Sequence, residues 1–233
     1  LGWHPHNHNN PGRIRHKAAG AFTMTFRGRA AHACNCPENG RSALDAAELT
    51  NIGVNYLREH MIDKARIHYA YVDAGGTAPN VVQDHSKVKY EVRAPKVSQM
   101  KELFERVVKV AKGAAMMTET EMKYEITMAF SDYVPNDTLA EIATECMMEV
   151  GAPGWEDSDY ELARAFLESY DPVTLETIKA GIRETYGPEN LERILERPLD
   201  SQVHPYIEGK HQYESGSTDV GDVGYAVPTL NLN

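Results

Sequence analysis

Ala19-Gly20-Ala21-Phe22-Thr23-Met24-Thr25-Phe26-Arg27-Gly28-Arg29 alternates between apolar and polar side chains. Phe22, Met24 and Phe26 fall on one side and Thr23, Thr25 and Arg27 on the other, the two-residue period of a strand with one buried face. The pattern returns at residues 87–93, where Val88, Tyr90 and Val92 oppose Lys87, Lys89, Glu91 and Arg93 before Pro95 stops the run. It returns again at 121–130, with Met122, Tyr124, Ile126, Met128 and Phe130 against Glu121, Lys123, Glu125 and Thr127. Ile67, Tyr69 and Tyr71 predict a further strand that ends at Gly75-Gly76.

The intervening segments change period. Residues 41–60 carry a helical stripe that includes Leu44, Ala47 and Ile52, after a loop rich in Asn, Pro and Gly from Asn35 to Gly40. Residues 97–116 form an amphipathic helix on Leu103, Val107, Val110, Ala111 and Ala114. The order strand-helix-strand-strand-helix-strand predicts an α+β fold over residues 18–131. It is the ferredoxin-like βαββαβ arrangement, a four-stranded antiparallel sheet with two helices on one face. One-faced alternation suits such a sheet, because its other face meets water.

Past Pro135-Asn136 the character is helical. Residues 137–150 start from Asn136 or Asp137 as N-cap and stop at Gly151. Residues 158–170 and 173–186 predict two more helices, the second ended by Gly187-Pro188, in an acidic and solvated insertion. No catalytic motif stands out in 155–210. Residues 213–222 read as a polar, glycine-punctuated loop ahead of a strand. Three segments follow from this: 1–17, 18–131 and 132–233.

Composition narrows the function. Against 24 Lys+Arg stand 34 Asp+Glu, a formal charge of −10 across 233 residues, which opposes a duplex nucleic-acid partner because phosphates call for a basic footprint. No run of about 18 apolar residues predicts a membrane-spanning helix. Three cysteines, with Cys34 and Cys36 one residue apart, build no disulfide framework, so a reducing cytoplasm is the expected location. The opening Leu1-Gly2-Trp3-His4-Pro5 and the closing Pro228-Thr229-Leu230-Asn231-Leu232-Asn233 both read as cut through structure, which predicts an internal piece of a longer protein.

Several residues could do chemistry. His4, His6 and His8 alternate and could ligate a transition metal, or they form a histidine-rich solvated loop with no carboxylate nearby in sequence. Cys34, Cys36 and His32 lack the second ligand pair of a zinc clip and read as loop thiols beside a histidine. His32 ends the first strand among small residues, either as a packed surface group or as a ring reaching outward from a tip. Gly75-Gly76-Thr77-Ala78-Pro79-Asn80 is a turn that presents an amide, and Arg93 is a strand-end cation, salt-bridged or free for a ligand. Together His32, Asn80 and Arg93 would suit a substrate carboxylate and a polarised carbonyl. Asp219 and Asp222, three apart in a turn, favour backbone capping over metal binding.

Read in order, Gly28-Arg29-Ala30-Ala31-His32-Ala33, Gly40-Arg41-Ser42-Ala43-Leu44-Asp45-Ala46, Gly75-Gly76-Thr77-Ala78-Pro79-Asn80-Val81-Val82 and Val92-Arg93 resemble one known pattern. It is the lid or dimerisation domain of the zinc aminoacylase and carboxypeptidase-G clan of metallopeptidases. Trp3-His4-Pro5, residues 113–120 and residues 217–223 resemble its aminobenzoyl-glutamate utilisation branch. The resemblance implies an amidohydrolase that cleaves an amide next to a free carboxylate, on an N-acyl amino acid or p-aminobenzoyl-glutamate type substrate. It implies that 1–17 and 132–233 are parts of an α/β catalytic domain into which the lid is inserted. It also implies two divalent metal ions, zinc or manganese, and a homodimer through the lid. In that pattern His4 ligates metal, His32 polarises the substrate carbonyl across the dimer, and Asn80 and Arg93 hold the carboxylate. The pattern's remaining metal ligands and its general-base Glu have no counterpart in this chain, which predicts an incomplete, inactive site in the chain alone. The competing reading is a non-catalytic dimerisation or binding module.

Overall fold

The computed structural model describes residues 1–4, 7–11, 14–207, 212–213 and 216–232. Apart from single 3-10 turns, the elements run β1 (Gly2–Trp3), β2 (Ile14–Arg15), β3 (Ala18–Arg27), β4 (Ala31–His32), α1 (Ala43–Leu57), β5 (Arg66–Asp73), β6 (Val81–Val82) and β7 (His85–Ala94). Next come α2 (Val97–Met117), β8 (Glu121–Phe130), α3 (Asp137–Val150), α4 (Asp157–Ser169), α5 (Pro172–Tyr186) and α6 (Leu191–Glu196). β9 (Gln212–Tyr213), α7 (Val220–Ala226) and β10 (Asn231–Leu232) complete the order. Two compact units divide the chain. One holds Leu1–Arg13, Pro135–Lys210 and Thr229–Asn233, and the other holds Ile14–Val134 and His211–Pro228.

The second unit is built on a four-stranded sheet in the order β5-β7-β3-β8, every neighbouring pair antiparallel. Alternation decides which side chains are inside. Phe22, Met24 and Phe26 of β3 and Val88, Tyr90 and Val92 of β7 are fully buried, together with Ile67 of β5. Ala43, Ala46, Ala47 and Val54 of α1 and Leu103, Val107 and Ala111 of α2 close the same core, so both helices cover one face. Phe22 stacks on Tyr90 with ring centroids 5.9 Å apart and meets Phe104 edge-on at 4.6 Å, a geometry favoured by the aromatic quadrupole. Polar groups enter this core as well: the Tyr90 hydroxyl donates to Asn51 Oδ1, and Asn51 Nδ2 donates to the Tyr71 hydroxyl at 3.1 Å. Burial pushes the Tyr90 phenol well above its ordinary pKa, so it remains a donor. The Ser42 hydroxyl accepts from the Asp45 N–H at 3.0 Å and starts α1.

Two features depart from the simple pattern. A register shift opposite Ala21/Phe22 inserts an extra residue in β8, so Met128 and Phe130 pair with Ala21 and Ala19. They no longer continue the row of Met122, Tyr124 and Ile126, as a bulge dictates. The loop expected to lead straight into a strand turns first through the short helix α7.

In the first unit β1 and β10 pair in parallel, Gly2 opposite Asn231 and Trp3 opposite Leu232. Helices α3, α4 and α5 fall where helices are expected, and α6 is an additional short helix. Asn136 Oδ1 accepts from the Leu139 N–H at 2.9 Å, and Asp171 caps α5 ahead of Pro172. No helix among the described residues is long and apolar enough to cross a membrane.

Candidate functional site

In the second unit the strand that decides the fold also aims a histidine. Leaving β3, the Gly28 N–H donates to the Asp84 carbonyl at 2.7 Å, and Arg29 and Arg41 exchange two backbone hydrogen bonds of 2.9 Å each. This neck is tight: a Cβ on Gly28 would stand 1.9 Å from the Arg41 carbonyl oxygen. Past the neck, β4 pairs antiparallel with β6, His32 opposite Val81, and the Ala33 N–H donates to the Asn80 carbonyl at 2.9 Å. His32 and Asn80 are thus neighbours on one exposed tip.

The imidazole is oriented by its own loop. His32 Nδ1 lies 3.2 Å from the N–H groups of both Cys34 and Asn35 and accepts from them. A neutral ring that accepts at Nδ1 carries its proton at Nε2, which makes Nε2–H its donor. Cys34 is exposed, Cys36 half-buried, and both are free thiols.

Arg93 is elsewhere. It sits near the end of β7, pairs with Ala19 and Arg66, and donates from Nε to Glu91 Oε1 at 2.5 Å. Arg27 faces His85 at the other end of β7, and the eight residue steps from His85 to Arg93 extend about 27 Å at the usual strand rise. Within one chain, therefore, the turn that carries Asn80 and the guanidinium of Arg93 occupy opposite ends of the strand. Asp222, also in the second unit, accepts from the Ser131 N–H at 3.0 Å, a backbone bond from outside its own turn, and Asp219 starts α7 without a side-chain cap bond.

In the first unit, His4 is exposed and continues the β1–β10 pairing through its N–H to the Leu232 carbonyl at 2.9 Å. The other candidate in that motif, His6, lies outside the described residues.

A second constellation, also in the first unit, carries no sequence motif. His8, Asp200 and His204 form a half-buried group whose ligand atoms all lie within 4.8 Å of one another, the one such set among the described residues. Asp200 Oδ2 is 3.2 Å from His8 Nδ1 and 2.8 Å from His204 Nε2, and the two rings meet edge-on at 5.0 Å. The Tyr186 hydroxyl is 3.0 Å from His8 Nε2. Burial works to raise the Asp200 pKa, but hydrogen bonds from His8 and the Gln202 N–H and the nearby His204 outweigh it, and the carboxyl stays below its usual range. The carboxylate absent from the neighbourhood of His8 in sequence comes from 192 residues away. Asp200 and His204 are four apart, the one sequence signal that points to them.

The family model of an M20 peptidase dimerisation domain matches residues 14–118, which include β3, β5 and β7 of the sheet and the two helices that cover it. The matched residues all lie in the second unit. Over 232 residues it is 38% identical to the B-type component of the p-aminobenzoyl-glutamate hydrolase of Escherichia coli (strain K12), covering 98% of this chain and 48% of that protein. It is also 31% identical over 132 residues to the Xaa-Arg dipeptidase of Mus musculus, covering 55% of this chain and 30% of that protein. Among solved structures, an aminobenzoyl-glutamate utilisation protein from Klebsiella pneumoniae aligns with a TM-score of 0.55 at 25% identity, over 67% of this chain and 39% of that one. An aminohydrolase structure from Staphylococcus aureus aligns at 12% identity over 100% of this chain and 48% of its own with a TM-score of 0.57, a likeness of fold. The chain spans about half the length of the first of these relatives.

Proposed function

We propose that this chain is part of a metal-dependent amidohydrolase that cleaves an amide bond next to a free carboxylate, in an N-acyl amino acid or p-aminobenzoyl-glutamate type substrate. The observation that carries the reading is the fixed His32 ring on an exposed tip: Nδ1 is occupied by two backbone donors, which leaves Nε2–H as its donor. Such a donor stabilises the oxyanion that develops when an amide carbonyl is attacked. Asn80, beside it, offers an amide to the substrate carboxylate, and Arg93 offers a guanidinium to the same group.

Because Arg93 and the His32–Asn80 tip lie at opposite ends of β7, one chain does not surround one substrate with all three. A homodimer through the second unit removes that difficulty, the tip of one copy serving the site beside the other copy's Arg93. His4 is the metal ligand in this reading. Imidazole suits zinc, and the two divalent ions, zinc or manganese, would supply a hydroxide and a Lewis acid when bound. The substrate is a small molecule, neither nucleic acid nor membrane is engaged, and the setting is cytoplasmic, in keeping with the acidic charge and free thiols.

The test is His32→Ala in the complete protein. Loss of an oxyanion donor should lower kcat by about 10²-fold or more, with the dimer and metal content unchanged. Full activity in that variant would sink the assignment, and a complete protein with no amidase activity would favour a pure dimerisation module.

A further inference from the structure

We infer that His8, Asp200 and His204 form a binding site for one divalent transition-metal ion of the zinc and cobalt class, held by two imidazoles and one carboxylate with a fourth position open. This goes beyond the proposed hydrolase reading. It uses none of His4, His32, Asn80 or Arg93, and it gives a role to part of residues 155–210, where no sequence motif stands out.

The geometry comes first. Tetrahedral coordination with bonds of about 2.0–2.1 Å places ligand atoms about 3.4 Å apart. Asp200 Oδ2 stands 3.2 Å from His8 Nδ1 and 2.8 Å from His204 Nε2, and all three ligand atoms lie within 4.8 Å of one another, so side-chain shifts of about 1 Å admit the ion. The chemistry also agrees. Two nitrogens and one carboxylate oxygen, with room for water, make up the ligand set of open zinc sites.

The surroundings hold these ligands in place. His8 turns its other nitrogen to the Tyr186 hydroxyl at 3.0 Å, the outer partner that orients a ligating ring. The Gln202 N–H donates to Asp200 Oδ1 at 3.2 Å and leaves Oδ2 to face the rings. The Trp155 indole N–H donates to the Asp200 carbonyl at 2.9 Å, and the Asn9 side chain donates to the carbonyls of Asp200 and Gln202 at 3.3 Å each. A set of hydrogen bonds from one strand-like stretch, one indole and one tyrosine thus fixes a carboxylate between two imidazoles that sequence keeps far apart.

The experiment is a cobalt(II) titration of this chain, read by equilibrium dialysis and by visible absorption, with zinc as competitor. The expected result is one ion per chain, the intense visible band of a tetrahedral cobalt centre, and displacement by zinc. Asp200→Asn and His204→Gln, near-isosteric changes, should each weaken binding at least tenfold and abolish the band, with far-UV circular dichroism unchanged. Tyr186→Phe, which removes only the outer hydroxyl, should keep the band and weaken binding about tenfold. His60→Ala, at an exposed histidine of the second unit, should leave the titration as it is. Absence of the band in the unaltered chain, its persistence in Asp200→Asn and His204→Gln, or its loss in His60→Ala would overturn the proposal. Activity of the complete protein is not the readout, so failure here is distinguishable from failure of the hydrolase reading.

Discussion

Gly28 is the residue whose replacement tests most directly how the histidine tip is held. An added Cβ would lie 1.9 Å from the Arg41 carbonyl oxygen, 2.9 Å from the Arg41 carbonyl carbon and 3.2 Å from the Ala43 nitrogen. The first of these is about 1.5 Å inside van der Waals contact, and the obstacle is backbone that cannot rotate aside. Gly28→Ala must therefore spread the neck and strain three backbone hydrogen bonds, Gly28 to Asp84 at 2.7 Å and the two between Arg29 and Arg41 at 2.9 Å. At about 1 kcal/mol net for each, the loss of stability is about 2–3 kcal/mol. The same substitution at Gly113, inside α2 with nothing within 4 Å of the added methyl, should stabilise by about 0.5–1 kcal/mol, because alanine is the better helix former. Urea denaturation of both variants against the unaltered chain measures the pair. If Gly28→Ala costs less than about 1 kcal/mol, or if both variants move in the same direction, the close-approach argument is wrong.

Three further outcomes are expected. Tyr90→Phe removes the donor to a buried Asn51 carbonyl and should destabilise by about 1–3 kcal/mol; a change within experimental error would mean that Asn51 is satisfied another way. The Asp171 carboxyl is held below its ordinary pKa, first by the Thr174 hydroxyl and then by the Thr174 N–H. Its contribution is accordingly present above the unfolded carboxylate value and lost as pH falls through the folded one; thermal melts should show the unaltered chain losing stability against Asp171→Asn on acidification, and a pH-independent difference would contradict this. The edge strand β8 exposes Tyr124 and Ile126, and the end of α2 exposes Met116 and Met117, so Ile126→Lys should turn a dimer into a monomer in light scattering, whereas an unaltered dimer would move the interface elsewhere.

What the sequence discloses is what has a period. Phe22, Met24 and Phe26, and Val88, Tyr90 and Val92, reveal a one-sided sheet because each strand repeats its burial every second residue, and the stripes of α1 and α2 name the helices that cover it. The bulge in β8 is illegible by the same logic, since an extra residue leaves the composition of the strand unchanged and only the partner strand shows it. Gly28 and His32 are conspicuous among small residues, but the reason for the glycine, an Arg41 carbonyl reached from thirteen positions away, is tertiary. The tautomer of His32 depends on two backbone N–H groups and has no side-chain signature. His8 is visible as a histidine, yet the carboxylate that gives it chemistry arrives from another segment, which no local pattern can announce.

The distance between those partners has a temporal side. A ribosome delivers chain at about 5–20 residues per second, and the sheet of the second unit has all four strands once Phe130 has emerged. His8 must wait for Asp200, 192 residues later, and Gly2 for Asn231. For about 10 s or more the early histidine-bearing segment stays without its mates while its neighbour matures, and that interval is when a nascent-chain protease or a stray metal ion would find it most accessible.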